Sequence, residues 1–125
     1  MRYRIGLLFA AVLSTSMSSA HAADTQVLGQ QLLSLCTANM GNNGNAYEAA
    51  QCMGFVVGVA NTFDCKATNH GYKWNRAVDV GQPGLVFQVV KYLKTHPAAR
   101  AVDAHIVIGA ALQDAFPCNK KSASN

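Results

Sequence analysis

Residues 45–63 read NAYEAAQCMGFVVGVANTF, and the spacing of the apolar residues in this stretch decides the fold class. Cys52, Phe55, Val56, Val59 and Phe63 recur at i, i+3, i+4, i+7 and i+11, which is one face of an α-helix. Asn45 is a favoured N-cap residue. Glu48, three positions on, completes a capping-box pattern in which each side chain answers a free amide of the first turn. Gly54 and Gly58 lie one helical turn apart, where the missing side chains would let another helix come close; the alternative is glycine merely tolerated in a helix.

Working outward, three more segments carry the same period. Leu28, Leu32, Leu35 and Cys36 share one face of a helix expected over Thr25 to Cys36. Between it and the central helix, TANMGNNGN (37–45) is dense in Asn and Gly, residues that accept left-handed backbone angles and bond locally to the main chain, so a loop is expected. Pro83 suits a first helical turn because its φ is preset. Leu85, Val86, Val89, Val90 and Leu93 then form a stripe that ends near His96, before Pro97. A fourth helix is expected from about Arg100 until Pro117 stops it. Its Ile106, Val107, Ile108, Ala111, Leu112, Ala115 and Phe116 are apolar around most of the circumference, so it should lie centrally or bury a face in a second subunit. Residues 64–81 (DCKATNHGYKWNRAVDVG) lose the period and form a connector in which short helical turns are admissible. The expected fold is all-α: a small four-helix-type bundle, with extra helical turns allowed in the 64–82 connector.

The chain has 125 residues, which suits one domain. Met1-Arg2-Tyr3-Arg4, the apolar run Ile5 to Val12 and Ala20-His21-Ala22 have the three parts of a secretory signal peptide. Residues 1–22 are therefore expected to be cleaved and residues 23–125 to form a single domain. The strongly apolar run is about half of the ~20 residues needed to cross a bilayer, so no membrane association is expected after cleavage. Without Arg2 and Arg4 the net charge falls from +4 to about +2, and the remaining cations are scattered. Nucleic-acid binding needs a basic stripe, and none is present.

Four cysteines in a short exported chain read as two disulfides. No C-x-x-C knuckle is present, which disfavours zinc. Cys52 and Cys65 lie near opposite ends of the central helix, about 20 Å apart at 1.5 Å per residue, against a Cα limit of about 7 Å for a disulfide. If the helices run up-down-up-down, Cys36 meets Cys52 at one end of the bundle and Cys65 meets Cys118 at the other.

The six carboxylates, Asp24, Glu48, Asp64, Asp79, Asp103 and Asp114, form no close pair in sequence of the kind that hydrolytic acid/base chemistry uses. No metalloprotease, nucleophile-elbow, phosphate-loop or haem motif occurs. Neither an enzymatic activity nor a cofactor is expected. His96 is read as a helix C-terminal residue and His105 as a surface or interface residue. The segment His70-Gly71-Tyr72-Lys73-Trp74-Asn75-Arg76 crowds aromatic and cationic side chains into the connector, and such residues are favoured interface anchors. Tyr72 and Trp74 can equally fold back to cover the bundle end near Cys65 and Cys118. The candidate partner-binding residues are His70, Tyr72, Lys73, Trp74, Asn75 and Arg76, with Met40 to Asn45 next.

Two stretches carry a family resemblance. Cys52 to Gly58 resembles a C-x-G-[YF]-x-x-G signature. Val89 to Arg100, followed by Ala115-Phe116-Pro117-Cys118, resembles V-x-x-Y-L-x-x-H-P-x-x-R with a closing A-F-P-C. In this order they resemble the type VI secretion amidase immunity proteins of the Tai or Rap type, over about Leu32 to Cys118. The resemblance implies a helical, exported homodimer in the periplasm that occludes the active site of a cognate secreted peptidoglycan amidase and needs no catalytic residues of its own. Members often carry a cysteine two residues before a proline ahead of the third helix; here Gln82-Pro83 stands without it and Cys65 lies far upstream. The competing reading is a disulfide-stapled periplasmic chaperone or stress protein.

Overall fold

The computed structural model describes residues 26–38 and 45–118. The expected signal peptide and most of the Asn/Gly loop lie outside the described residues. The helices are α1 (Gly29–Thr37), α2 (Ala46–Ala60), α3 (Gln82–Thr95) and α4 (Ala104–Ala115), with a 3₁₀ turn over Pro97–Ala101 between the last two. Among the described residues there is no strand, only two isolated β-bridges, and no helix long and apolar enough to cross a membrane. The all-α expectation holds.

Each helix packs on the other three, and one core results. Leu32 from α1, Val56 from α2, Val89 and Leu93 from α3, and Ile108 and Leu112 from α4 are fully enclosed. Half of α4 is buried, namely Ala104, Val107, Ile108, Gly109, Ala111 and Leu112. This central position is what its nearly all-round apolar character requires.

Local chemistry sets the helix ends. Asn45 Oδ1 accepts from Tyr47 N–H at 3.0 Å and so caps α2. Pro83 stands in the first turn of α3. At the other end of α3, Arg100 Nε donates to the Leu93 carbonyl at 3.0 Å, taking up a carbonyl that the helix leaves free. His96 closes the same end. Its backbone N–H donates to the Tyr92 carbonyl, and its Nδ1 lies 3.0 Å from that oxygen and 3.0 Å from Thr95 Oγ1.

Three expectations are corrected. Helix α1 starts at Gly29 and not at Thr25, because Val27 and Leu28 are extended and paired with the start of α4. Gly29 N–H donates to the Val102 carbonyl and Ala104 N–H to the Val27 carbonyl, both at 2.8 Å. That pairing also sets the start of α1 beside the start of α4, so the order is not a strict up-down-up-down bundle. A Cβ at Gly29 would stand 2.5 Å from the Ala99 carbonyl oxygen, so only glycine fits there without a shift. Helix α4 starts at Ala104 and not near Arg100, since Pro97 opens a tighter 3₁₀ turn and Val102 is extended. Finally, Gly54 and Gly58 have nothing among the described residues within 4 Å of a built Cβ, so none of the other three helices uses the gap.

Both disulfides form as expected. Cys36 bonds Cys52 with Cα atoms 5.0 Å apart, and Cys65 bonds Cys118 at 5.7 Å. All four cysteines are thereby oxidised, and no free thiol remains. The pairing survives the change in helix order because it needs only the end of α1 beside the early turns of α2, and the ends of α2 and α4 side by side.

Candidate functional site

The connector folds into a finger along α4. Just past Phe63, Asp64 Oδ1 accepts from Lys66 N–H at 2.7 Å and Ala67 N–H at 2.8 Å, and Asp64 N–H donates to the Ala67 carbonyl. The bond from Ala67, then that from Lys66, hold the Asp64 carboxyl below its ordinary range, with smaller help from Arg76 and Lys66 charge. The tip is a two-residue turn in which Asn69 and Tyr72 exchange both backbone hydrogen bonds, at 3.1 and 2.9 Å. Its central residues are His70 at φ 48° and Gly71 at φ 82°, the positive angles of a tight hairpin turn. The structure thus places a hairpin turn where the sequence reading allowed a helical one.

The returning arm is tied to α4 position by position. The Tyr72 ring lies on Gly109, where an added Cβ would come within 3.0 Å of it. Lys73 N–H donates to Gln113 Oε1 at 3.0 Å. Asn75 N–H donates to the Phe116 carbonyl at 2.8 Å. Between them Trp74 turns inward and is 4% exposed. Its Nε1 donates to the Ala60 carbonyl at 3.0 Å at the end of α2, and its ring packs between Phe63 and Phe116. The Cys65 sulfur sits 3.4 Å from the Trp74 carbonyl oxygen; with no proton on a disulfide sulfur, this is a packing contact.

The six candidate residues therefore separate by environment. Trp74 belongs to the core and fills the covering role raised from the sequence. His70, Lys73 and Arg76 are exposed, and Tyr72 and Asn75 are half-buried. Arg76 Nη2 donates to Asn61 Oδ1 at 3.2 Å, which ties the base of the finger to the end of α2. Beside the finger, Tyr72, Tyr92, His96, Gln113 and Asp114 line a cleft of about 470 Å³. Burial, then Tyr72 and Asp114, push the Tyr92 phenol upward, so it stays neutral and able to donate. A second cleft of about 530 Å³ lies by Lys73, Gln113 and the Cys65–Cys118 bridge.

Of the α4 residues that receive the finger, sequence reading placed His105 only as a surface or interface residue and did not find Gly109 and Gln113. His105 Nε2 lies 3.0 Å from His70 Nε2, although 35 positions separate them in the chain. The signal available in the sequence was Asn69-His70-Gly71, which resembles the Asn-Gly turns of hairpins. Nothing local pairs that turn with α4.

A different surface lies along α3, where Pro83, Val86, Phe87, Val90 and Lys94, with Cys36, line an apolar cleft of about 490 Å³. Phe87 is 60% exposed there.

No curated protein is similar enough to the chain to match it. The model of the Rap1a immunity proteins does match, over residues 28–118, from the bridge that precedes α1 to the second disulfide. Both stretches quoted for the Tai or Rap resemblance fall inside the matched span, and the chain belongs to the Rap1a immunity protein family.

Proposed function

We propose that the chain is a periplasmic immunity protein that binds a type VI secreted peptidoglycan amidase, occludes its active site, and so protects the producing cell from itself and its siblings. Membership of a family of immunity proteins carries the reading, since such a protein acts on a cognate secreted effector. Two disulfides suit an oxidising compartment. The binding element is the finger, with His70, Tyr72, Lys73, Asn75 and Arg76 toward the effector and Trp74 beneath as its support. A loop already fixed by main-chain bonds loses little entropy on docking, which favours tight binding from a small surface. The working form is a homodimer, and Phe87 on α3, beside the apolar cleft, is an exposed aromatic residue available to its contact.

Periplasmic co-expression with the effector encoded beside the gene tests the reading. Lysis without this chain and growth with it is the expected outcome, and equal lysis in both rejects it. Lys73→Glu with Arg76→Glu should weaken effector binding by at least ~2 kcal/mol if these are anchors. The melting temperature should fall only slightly, because both side chains are exposed and the fold loses only the surface Arg76–Asn61 bond and the Arg76 charge near Asp64. Unchanged affinity would shift the interface to Met40–Asn45. Sedimentation at increasing concentration measures the dimer, and Phe87→Asp should leave a monomer.

A further inference from the structure

We infer that His70 and His105 form a binding site for a divalent transition-metal ion of tetragonal preference, copper(II) or nickel(II), at the tip of the finger. The two Nε2 atoms are 3.0 Å apart. Metal–imidazole bonds of about 2.0 Å to two nitrogens at this separation enclose an angle of roughly 95°. That is the angle between neighbouring ligands of a square-planar or octahedral ion, and it is narrower than the tetrahedral angle zinc prefers. The ring centroids are 4.8 Å apart with the planes inclined at 52°, too close for two rings pointing at each other end to end. The nitrogens therefore meet at an angle, as two ligands of one ion do.

The placement of both ligands is fixed before any ion arrives. His70 is the only non-glycine among the described residues with positive φ. Such a conformation is uncommon outside glycine and is held here by the paired Asn69 and Tyr72 backbone bonds. His105 stands in the first turn of α4. The Tyr72–Gly109 contact and the Lys73–Gln113 bond fasten the turn to that helix. Without metal, one ring donates its Nε2 proton to the other. Binding requires both rings as Nδ1-protonated tautomers, so that two Nε2 lone pairs face the ion and the single N–H···N bond is replaced by two metal bonds. No group of three or more His, Cys, Asp or Glu side chains able to hold a metal occurs among the described residues. The described residues thus supply two ligands, and water is expected to fill the remaining positions.

The test uses the exported, processed protein without a polyhistidine tag, titrated with copper(II), nickel(II) or zinc in a non-coordinating buffer, with electron paramagnetic resonance of the copper form. One ion per chain and a two-nitrogen hyperfine pattern are expected, with nickel bound more tightly than zinc. His70→Asn, which keeps a residue tolerant of positive φ, and His105→Gln should each lower copper affinity at least ~10-fold, since even residues that only support ligands cost 10- to 100-fold. His96→Gln should change nothing. Copper binding that survives both substitutions, or no nitrogen-coordinated signal from the unaltered protein, overturns the site. Tighter zinc than nickel overturns the tetragonal assignment. Circular dichroism confirms that each variant is folded, and no effector is needed, so the outcome is independent of the immunity reading.

Discussion

The two disulfides stand at contrasting places in the molecule. Cys36 and Cys52 both lie inside helices, are both buried, and close a short loop with a sequence separation of 16. Cys65 and Cys118 both lie outside helices and close a separation of 53. At the first bridge the helices already position the sulfurs, so the bond confirms an arrangement that core packing imposes. At the second no helix restrains either residue. The bridge, the Trp74 indole bond and the Tyr72–Gly109 contact together take the place of secondary structure.

That contrast can be broken by substitution. Trp74→Ala should have the largest effect, about 3–5 kcal/mol in urea unfolding, the usual loss for a buried large aromatic residue. It also strands the Ala60 carbonyl. A loss below about 1 kcal/mol would mean that the finger is not part of the cooperative core. Next, replacing Cys65 and Cys118 together with serine should cost about 4 kcal/mol, and replacing Cys36 and Cys52 about 3 kcal/mol, from the loop sizes on the chain-entropy model. Proteolysis of the folded variants sharpens the comparison. Loss of the second bridge should expose the 64–75 segment to cleavage, whereas loss of the first should not, and the reverse pattern would invert the assignment.

Smaller effects come from glycine. Gly29→Ala should destabilise by about 1–3 kcal/mol, because its Cβ overlaps the Ala99 carbonyl oxygen and the backbone must move. Gly54→Ala, in open space on α2, should stabilise by about 0.5–1 kcal/mol through helix propensity. Thermal melting of the pair should therefore move in opposite directions. The smallest effect is electrostatic. Asp64 has a lowered folded pKa, so its contribution is fully present above its unfolded value and is lost as the pH falls through the folded one. Asp64→Asn keeps the acceptor and removes the charge, and it should flatten the stability profile only on the acid side, below about pH 4.

Much of the fold was legible because it is local. The apolar stripe of Cys52, Val56 and Phe63 and the Asn45 cap specify α2 within a single stretch. Helix length excludes only the Cys52–Cys65 bond; the pairing is read from an up-down-up-down order that the structure does not strictly keep, and it holds because it needs only the neighbouring helix ends. What escaped was decided across the chain. The start of α1 yields to the pairing of Leu28 with Asp103, 75 positions on. His70 meets His105 only because the finger reverses at Gly71 and lies along α4. Trp74 read as an anchor since aromatic residues in a loop serve interfaces and cores equally, and burial, which the sequence does not state, separates the two uses. Gly109 looked like an ordinary helix interior residue until the Tyr72 ring was found on it.

The finger is fastened largely through its main chain, with the Lys73 amide donating to Gln113 on α4 and the Asn75 amide to Phe116, the residue that closes it. An amide is common to every residue except proline, so these fastenings impose almost no choice of amino acid at the positions that make them. The side chain of Lys73 points outward at no expense to the fold. Substitutions at the outward positions of the finger can therefore accumulate one at a time while the same scaffold continues to fold beneath them.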